Sequence, residues 1–440
     1  MKNGCASLIF LLTINFGFCQ AGFMFPFGVD KVEIAFDLEK NLILIPVELN
    51  GVQMRFLLDT GVAETILFSL DDKSEVTLLN VEKIKMRGLG EQDAVEGLKS
   101  SGNILKINGL VKKNEDVVVV LDESFNFSSS LGVAVNGIIG TSFFEKNFVE
   151  INYRSKKITV HKTLKTLKSL KKYTEISLSI EEKKPYFEVE VAIDDRLQPS
   201  KLLLDTGSSD ALWIFRTKEN KFEIPQKHFD DFLGRGFSGD ILGQRAVVNK
   251  IKIKNFEFEK AIVAFPDTLA VQKMNLVAQR AGSIGSEILS RFKIVFDYQN
   301  EKIYLKKNYR FGAIFSYNKS GIEIQHAGLR LVQEAESTRI TSNVDGGVKI
   351  NFSGDEQNVK YKFELKPNFE VVNIRKGSPS ENAGLKVGDL ILMINGVKSY
   401  RYKLQEIADI LKSDDGKIIK LEIERSGKNM KITFKLADML

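Results

Sequence analysis

Leu202-Leu203-Leu204-Asp205-Thr206-Gly207-Ser208-Ser209 is an apolar run that ends in an acid, followed by a glycine that permits a sharp turn. Three leucines ahead of the acid mark a buried strand. An aspartate at the end of such a strand is costly to bury unless its charge is hydrogen-bonded or put to use. The same phrase stands earlier, as Phe56-Leu57-Leu58-Asp59-Thr60-Gly61. Two copies of an apolar pair followed by Asp-Thr-Gly suggest two carboxylates meeting on a symmetry axis. Such a pair can share one proton and activate a water.

The surroundings of the two copies repeat as well. In the first, residues 42–49 read as a strand, Asn50-Gly51 as a tight turn, and residues 54–58 as the strand that delivers Asp59. Glycines follow at Gly88, Gly90, Gly97 and Gly102, then an apolar strand at 117–121. Asn136-Gly137-Ile138-Ile139-Gly140 comes next, then a short helical piece and a strand pair at 148–153 and 157–160. In the second half, strands at 186–193 and 201–204 lead to Asp205, and glycines recur at Gly234, Gly236, Gly239 and Gly243. Strands at 247–253 and 261–265 precede Gly282-Ser283-Ile284-Gly285-Ser286, and residues 292–297 and 302–305 close the unit. Asp205 follows Asp59 by 146 positions, Gly285 follows Gly140 by 145, and Asp297 follows Asn152 by 145. Features recurring at one period mean a duplicated structural unit. Between the copies, Leu164, Leu167 and Leu170 alternate with lysines, which reads as a connector with a solvated basic face.

The chain has 440 residues, enough for two or three domains with separate cores. A formal charge of +6, spread over 63 basic and 57 acidic residues, does not point to nucleic acid. Lys2, the mostly apolar residues 8–18 and the small Ala21 and Gly22 have the pattern of an export signal, too short for a comfortable membrane span. Both cysteines, Cys5 and Cys19, lie inside that stretch, so disulfides cannot hold the processed chain together. A lipid anchor on Cys19 is disfavoured by the bulky Phe18 before it. His161, His228 and His326 share no metal-ligand spacing, and neither a metal nor an organic cofactor is expected.

The duplicated Asp-Thr-Gly, each copy followed by a hydrophobic-hydrophobic-Gly element, resembles the pepsin/retropepsin aspartic peptidases. Ile138-Ile139-Gly140 matches the second element well, whereas Ser283-Ile284-Gly285 has a serine in its first place. The resemblance covers residues 32–307 and implies two β-barrel-like lobes, each giving one aspartate. It makes Asp59 and Asp205 the catalytic pair. Two carboxylates about 3 Å apart do not both ionise readily, so one holds a proton. By the same resemblance Thr60 and Thr206 lock the two turns together, and Gly61 and Gly207 offer backbone N–H groups to the carboxylates. Ser208 can donate a hydrogen bond to Asp205, whereas Val62 offers nothing to Asp59. This predicts Asp205 as the ionised partner and Asp59 as the protonated one. The glycines at Gly88, Gly90, Gly234 and Gly236 fit flap hairpins closing over a peptide. No tyrosine occurs in residues 80–110, where pepsin-like flaps usually carry one.

After residue 310 the pattern changes. Gly377-Ser378-Pro379, Ala383-Gly384-Leu385, Val387-Gly388-Asp389, the apolar residues 390–394 and the turn Asn395-Gly396 resemble a PDZ domain of the bacterial protease type. Such domains bind an extended peptide, often a C-terminus, as an added strand beside a helix. Gly321, Ile322 and Ile324 are the expected carboxylate loop and edge strand, with Ala327-Gly328-Leu329 as the runner-up loop. Leu404 and Ile407 are expected to line the groove. Residues 330–366 read as an inserted hairpin turning at Asp345-Gly346-Gly347, placed to cover that groove.

The expected fold is therefore mainly β: two retropepsin-like lobes in tandem followed by an α+β PDZ domain. The expected boundaries are a signal at 1–21, lobes at 22–161 and 173–307, a connector at 162–172, and the PDZ domain at 312–440. The expected function is that of an exported, monomeric aspartic endopeptidase in the periplasm, outer envelope or medium of a Gram-negative bacterium. Its partners would be a peptide or protein substrate and a C-terminal peptide ligand, with no nucleic acid and no transmembrane span after signal cleavage. The alternative is a catalytically silent peptide-binding envelope protein.

Overall fold

The structure, a computed structural model, describes residues 22–70, 75–86, 95–122, 127–167, 170–193, 196–217, 220, 222–236, 239–272, 274, 276–336, 341–344, 347–350 and 360–440. The proposed signal, Gly88, Gly90, Asp345 and Gly346 lie outside them.

The duplication read from the sequence becomes two eight-stranded sheets of the same topology. In the first lobe the order is Asp37–Glu39, Leu42–Leu49, Val52–Leu58, Gly137–Ile139, Thr65–Leu67, Leu110–Val120, Val95–Ile107, Val81–Met86. In the second it is Ser179–Glu181, Lys184–Ala192, Leu197–Leu204, Arg280–Ile284, Leu212–Ile214, Phe256–Pro266, Gly239–Ile253, His228–Gly236. In each lobe the strand bearing the aspartate runs parallel to the strand of the hydrophobic-hydrophobic-Gly element, with Leu58 opposite Ile139 and Leu204 opposite Ile284. That central placement explains the unbroken apolar runs, since both faces of these strands are covered. Leu57, Leu58, Leu202, Leu203 and Leu204 are all buried.

A third sheet of six strands joins the lobes. Lys31–Ala35, Lys157–His161 and Phe148–Asn152 come from the first lobe, and Phe292–Asp297, Lys302–Lys307 and Thr174–Ser177 from the second. The seam is antiparallel, with Val149 opposite Phe296 and Ile151 opposite Ile294. Phe144 packs edge-on against Phe296 across it, ring centroids 4.9 Å apart. The connector forms two short 3-10 turns, Leu164–Thr166 and Leu170–Lys172, with no fully buried side chain in either. Lys306 and Lys307 finish the last strand of the second lobe.

The C-terminal sheet runs Ile322–Glu336, Lys360–Ile374, Leu390–Ile394, Ile418–Arg425, Lys428–Lys435, with the helix Leu404–Leu411 packed on it. One expectation needs correction. Ala327-Gly328-Leu329 is no loop but a bulge inside the first of these strands, where the register slips between His326 and Leu329. Residues 330–366 carry the expected hairpin, which continues the domain's own two longest strands, paired from Arg330 opposite Lys366 to Glu336 opposite Lys360. A smaller hairpin pairs Thr341–Val344 with Gly347–Ile350.

Candidate active site

Each Asp-Thr-Gly turn begins where its central strand ends. The Asp59 N–H is held by Ile139 O at 3.0 Å, and the Asp205 N–H by Ile284 O at 2.9 Å. The two turns then interlock. Thr60 N donates to Thr206 Oγ1 and Thr206 N to Thr60 Oγ1, both at 3.0 Å. Each hydroxyl in turn donates into the opposite lobe, Thr60 Oγ1 to Leu204 O at 2.6 Å and Thr206 Oγ1 to Leu58 O at 2.8 Å. Both threonines are fully buried, where water offers no substitute partner.

The glycines show how close the turns come. A methyl group at Gly207 would sit 2.2 Å from Asp59 Cγ, and one at Gly61 would sit 3.0 Å from Asp205 Cγ. Only a residue without a side chain fits between the opposing carboxylate and its own turn. Gly61 N donates to Asp59 Oδ1 at 2.6 Å and Gly207 N to Asp205 Oδ1 at 2.9 Å. Below the turns, a Cβ at Gly140 would strike Val62 O and Glu64 O, and one at Gly285 would strike Asp210 O. The serine that breaks the second element is harmless: Ser283 is buried mid-strand opposite Trp213.

The carboxylates face each other, Asp59 buried and Asp205 partly exposed, and their proton affinities diverge. Burial, and then the charge of Asp205, holds the Asp59 carboxyl well above the ordinary carboxylate range. Burial also raises Asp205, but the charge of Arg280 opposes it, as do hydrogen bonds from the Gly207 N–H, from Asp59 and from the Ser208 N–H. Of the two, Asp59 is pushed further toward holding a proton, and the pair titrates together. The direction is the one read from the sequence, but the donor is different. Ser208 supports Asp205 through its backbone N–H.

Arg280 was not singled out from the sequence. It is 7% exposed at the start of the strand beside Asp205, with its guanidinium 5.1 Å from the Phe215 ring centroid and 5.9 Å from that of Tyr186. The only signal was its place at the head of the strand that leads into Ser283-Ile284-Gly285, 145 positions after Val135, its duplicate in the first lobe. Tyr298 was missed too. Its buried hydroxyl has no hydrogen-bond partner among the described residues, and burial and the charge of Asp59 push its pKa well up.

Of the expected flap residues, Gly234 and Gly236 lie on the hairpin His228–Gly236/Gly239–Ile253. Gly234 has φ +147° at a bulge, with open space around it. That hairpin is held at its base by charge: Arg245 bonds Asp231 at 2.7 Å and Asp210 at 2.9 Å, and Asp210 accepts from Trp213 Nε1 at 2.7 Å. The histidines are scattered, with His161 on Thr166, His228 on Pro225 O and His326 edge-on to Phe369. Among the described residues no group of acidic, histidine or cysteine side chains could hold a metal.

Residues 45–143, which contain the first turn, match the family model described as aspartyl protease, and residues 370–425 match that of the PDZ domain. The chain joins an aspartyl protease domain to a C-terminal PDZ domain. A Lactococcus lactis protein described as a zinc metalloprotease is 41% identical over 56 residues, 13% of this chain and 13% of that protein. The solved aspartic proteinase from Irpex lacteus aligns with 64% of this chain and 99% of its own length, at 12% identity and a TM-score of 0.42.

In the PDZ domain, Gly321 takes φ +84° ahead of the edge strand, and a Cβ there would strike Ser378. Ile322, Ile324, Leu404 and Ile407 are each 5% exposed or less, so no open apolar groove is presented. The extended hairpin was expected to close it. The first lobe lies against this side: the helix Phe127–Leu131 packs against the edge strand, and Gly132 lies against Leu404.

Proposed function

We propose that this chain is an aspartic endopeptidase whose PDZ domain recruits or positions peptide. The observation that carries the reading is the interleaving of the two turns, in which each glycine leaves room only for the opposite lobe's carboxylate. With the proton on Asp59, the Asp205 carboxylate is the base. It takes a proton from a water held between the two, and the water oxygen attacks the peptide carbonyl carbon. The Asp59 hydroxyl polarises the carbonyl oxygen and stabilises the negative charge that develops there. Collapse of the tetrahedral species breaks the C–N bond as Asp205 hands its proton to the leaving amine. The two carboxyls supply both acid and base, so the chemistry needs only groups of this chain.

Export fits the basic start and apolar residues 8–18 of the sequence. No helix among the described residues is long and apolar enough to cross a membrane. A monomer suffices for the site, because both aspartates come from one chain.

The test is cleavage of a mixed peptide library by the purified chain from pH 3 to 8, with and without a statine-type inhibitor. Cleavage suppressed by the inhibitor is the expected result. A folded chain that cuts nothing at any pH would instead be a peptide-binding protein, with the PDZ domain as its working part.

A further inference from the structure

The hairpin turn between Asp37–Glu39 and Leu42–Leu49 is two residues long, Lys40 and Asn41, both left-handed with φ of 47° and 68°. That tight turn presents its backbone and both side chains outward, and each residue faces a different domain. The Lys40 N–H donates to Gln405 Oε1 at 2.7 Å, on the PDZ helix Leu404–Leu411. Its ammonium pairs with Glu323 at 3.0 Å, on the PDZ edge strand. One residue thus ties together the two walls between which an added peptide strand would lie. The helix Phe127–Leu131 and Gly132 fill the same side, with a methyl at Gly132 only 2.9 Å from Leu404 Cβ. Asn41 reaches the other way. Its side-chain amide donates to Glu287 at 3.0 Å and Ser209 O at 3.4 Å, in the second lobe. Ser209 follows Asp205-Thr206-Gly207-Ser208 directly, and Glu287 belongs to the short helix after Gly285.

We propose that the PDZ groove is the docking surface for this chain's own first lobe, and that a peptide adding as a strand along residues 322–325 must displace the Lys40–Asn41 turn. Groove occupancy is thereby linked to the loop that carries Asp205, because the same turn holds Ser209 and Glu287. The lobe acts as a competitor at high effective concentration. Free peptide therefore binds in proportion to the fraction of molecules with the turn undocked. The inference rests on the PDZ domain being a peptide binder and is independent of whether the aspartates cut.

The test uses the full chain with Asp59→Asn, so that no probe is consumed, and with Cys5→Ser and Cys19→Ser. Lys40→Cys and Gln405→Cys are added, and the disulfide is formed and verified by thiol titration. The probes are fluorescein-labelled hexapeptides with free C-terminal carboxylates ending in Val, Leu, Ile or Phe. The oxidised protein should bind them at least about ten-fold more weakly than the same protein reduced. Lys40→Ala with Gln405→Ala should bind about ten-fold more tightly than the parent, which keeps the inference testable if the disulfide fails to form. Equal affinity in parent and double-alanine proteins, equal affinity locked and reduced, or binding by none of them overturns it. Loss of cleavage in the unmutated chain would bear on the proposed enzyme and leave this result untouched.

Discussion

At the scale of single residues, the chain makes two like side chains unlike. Asp59 and Asp205 sit in duplicated turns, yet Arg280 in the second lobe stands where the first lobe has Val135. That one buried cation lowers the proton affinity of Asp205 against the effect of burial. Arg280→Met should therefore move the acid limb of the kcat/KM profile to higher pH, whereas Arg280→Lys should largely preserve it. A pH profile unmoved by the methionine would remove Arg280 from the mechanism. Stability should carry the same signature. Asp59 holds its proton more tightly folded than unfolded, so between the ordinary carboxylate range and its raised value the folded chain binds more protons. Stability should then fall as pH rises through that window, and Asp59→Asn should flatten the fall; urea melts at pH 4 and 7 measure it. Gly207→Ala should abolish activity, because its methyl would occupy the place of Asp59 Cγ. The two aspartates and their glycines were legible in sequence because one short phrase occurs twice. Arg280 was not, because a lone arginine in a strand announces no partner.

At the scale of elements, the decisive feature is the exchange of hydrogen bonds between the turns. Thr206→Ala removes a donor to Leu58 O and strands the buried Thr60 N–H. An unsatisfied buried group costs about 1–3 kcal/mol, and Thr206→Ser should recover most of the loss in denaturant melts. A loss under about 0.5 kcal/mol would mean that the turns are held mainly by the six-stranded sheet that joins the lobes. The topology of each lobe was readable from the order strand, Asp-Thr-Gly, glycines, strand, hydrophobic-hydrophobic-Gly. What that order could not supply was the length of the hairpins. Residues 247–253 read as one short strand, but Gly239–Ile253 is continuous. Its N-terminal half pairs with His228–Gly236 and mixes the buried Ile241 with Asp240, Gln244, Arg245 and two glycines, so it shows no apolar pattern. In the PDZ domain the hairpin read at 330–366 proves continuous with the strands Ile322–Glu336 and Lys360–Ile374.

At the scale of the whole molecule, three domains' worth of sequence becomes one connected body. The segment after the second lobe is pinned: Phe311 packs on Phe256, Phe258 and Phe292, and Arg291 donates to Ala313 O at 2.5 Å. Arg375, buried beside the Gly321 loop, bonds Asp231 of the second-lobe hairpin at 3.0 Å and stacks over Phe229 at 4.0 Å. Arg375→Ala leaves Asp231 with Arg245, so the chain should still fold. A hydrogen bond to a charged group is worth about 1.5–3 kcal/mol, so backbone exchange at residues 228–236 and 318–322 should quicken about ten-fold or more. Unchanged exchange would mean that the domains are held by the first-lobe contacts alone. None of this docking was legible beforehand, because Lys40, Gly132, Asp231 and Arg375 look like ordinary turn and surface residues until the domains meet. The central claim is that Asp59 and Asp205 act as one catalytic pair. Its most direct test is the cleavage rate of the mixed peptide library by Asp59→Asn and Asp205→Asn, each shown by circular dichroism and melting to be folded. Both should fall at least about a thousand-fold below the unmutated chain at every pH from 3 to 8. A folded variant of either kind that still cuts within ten-fold of the unmutated rate would contradict the claim.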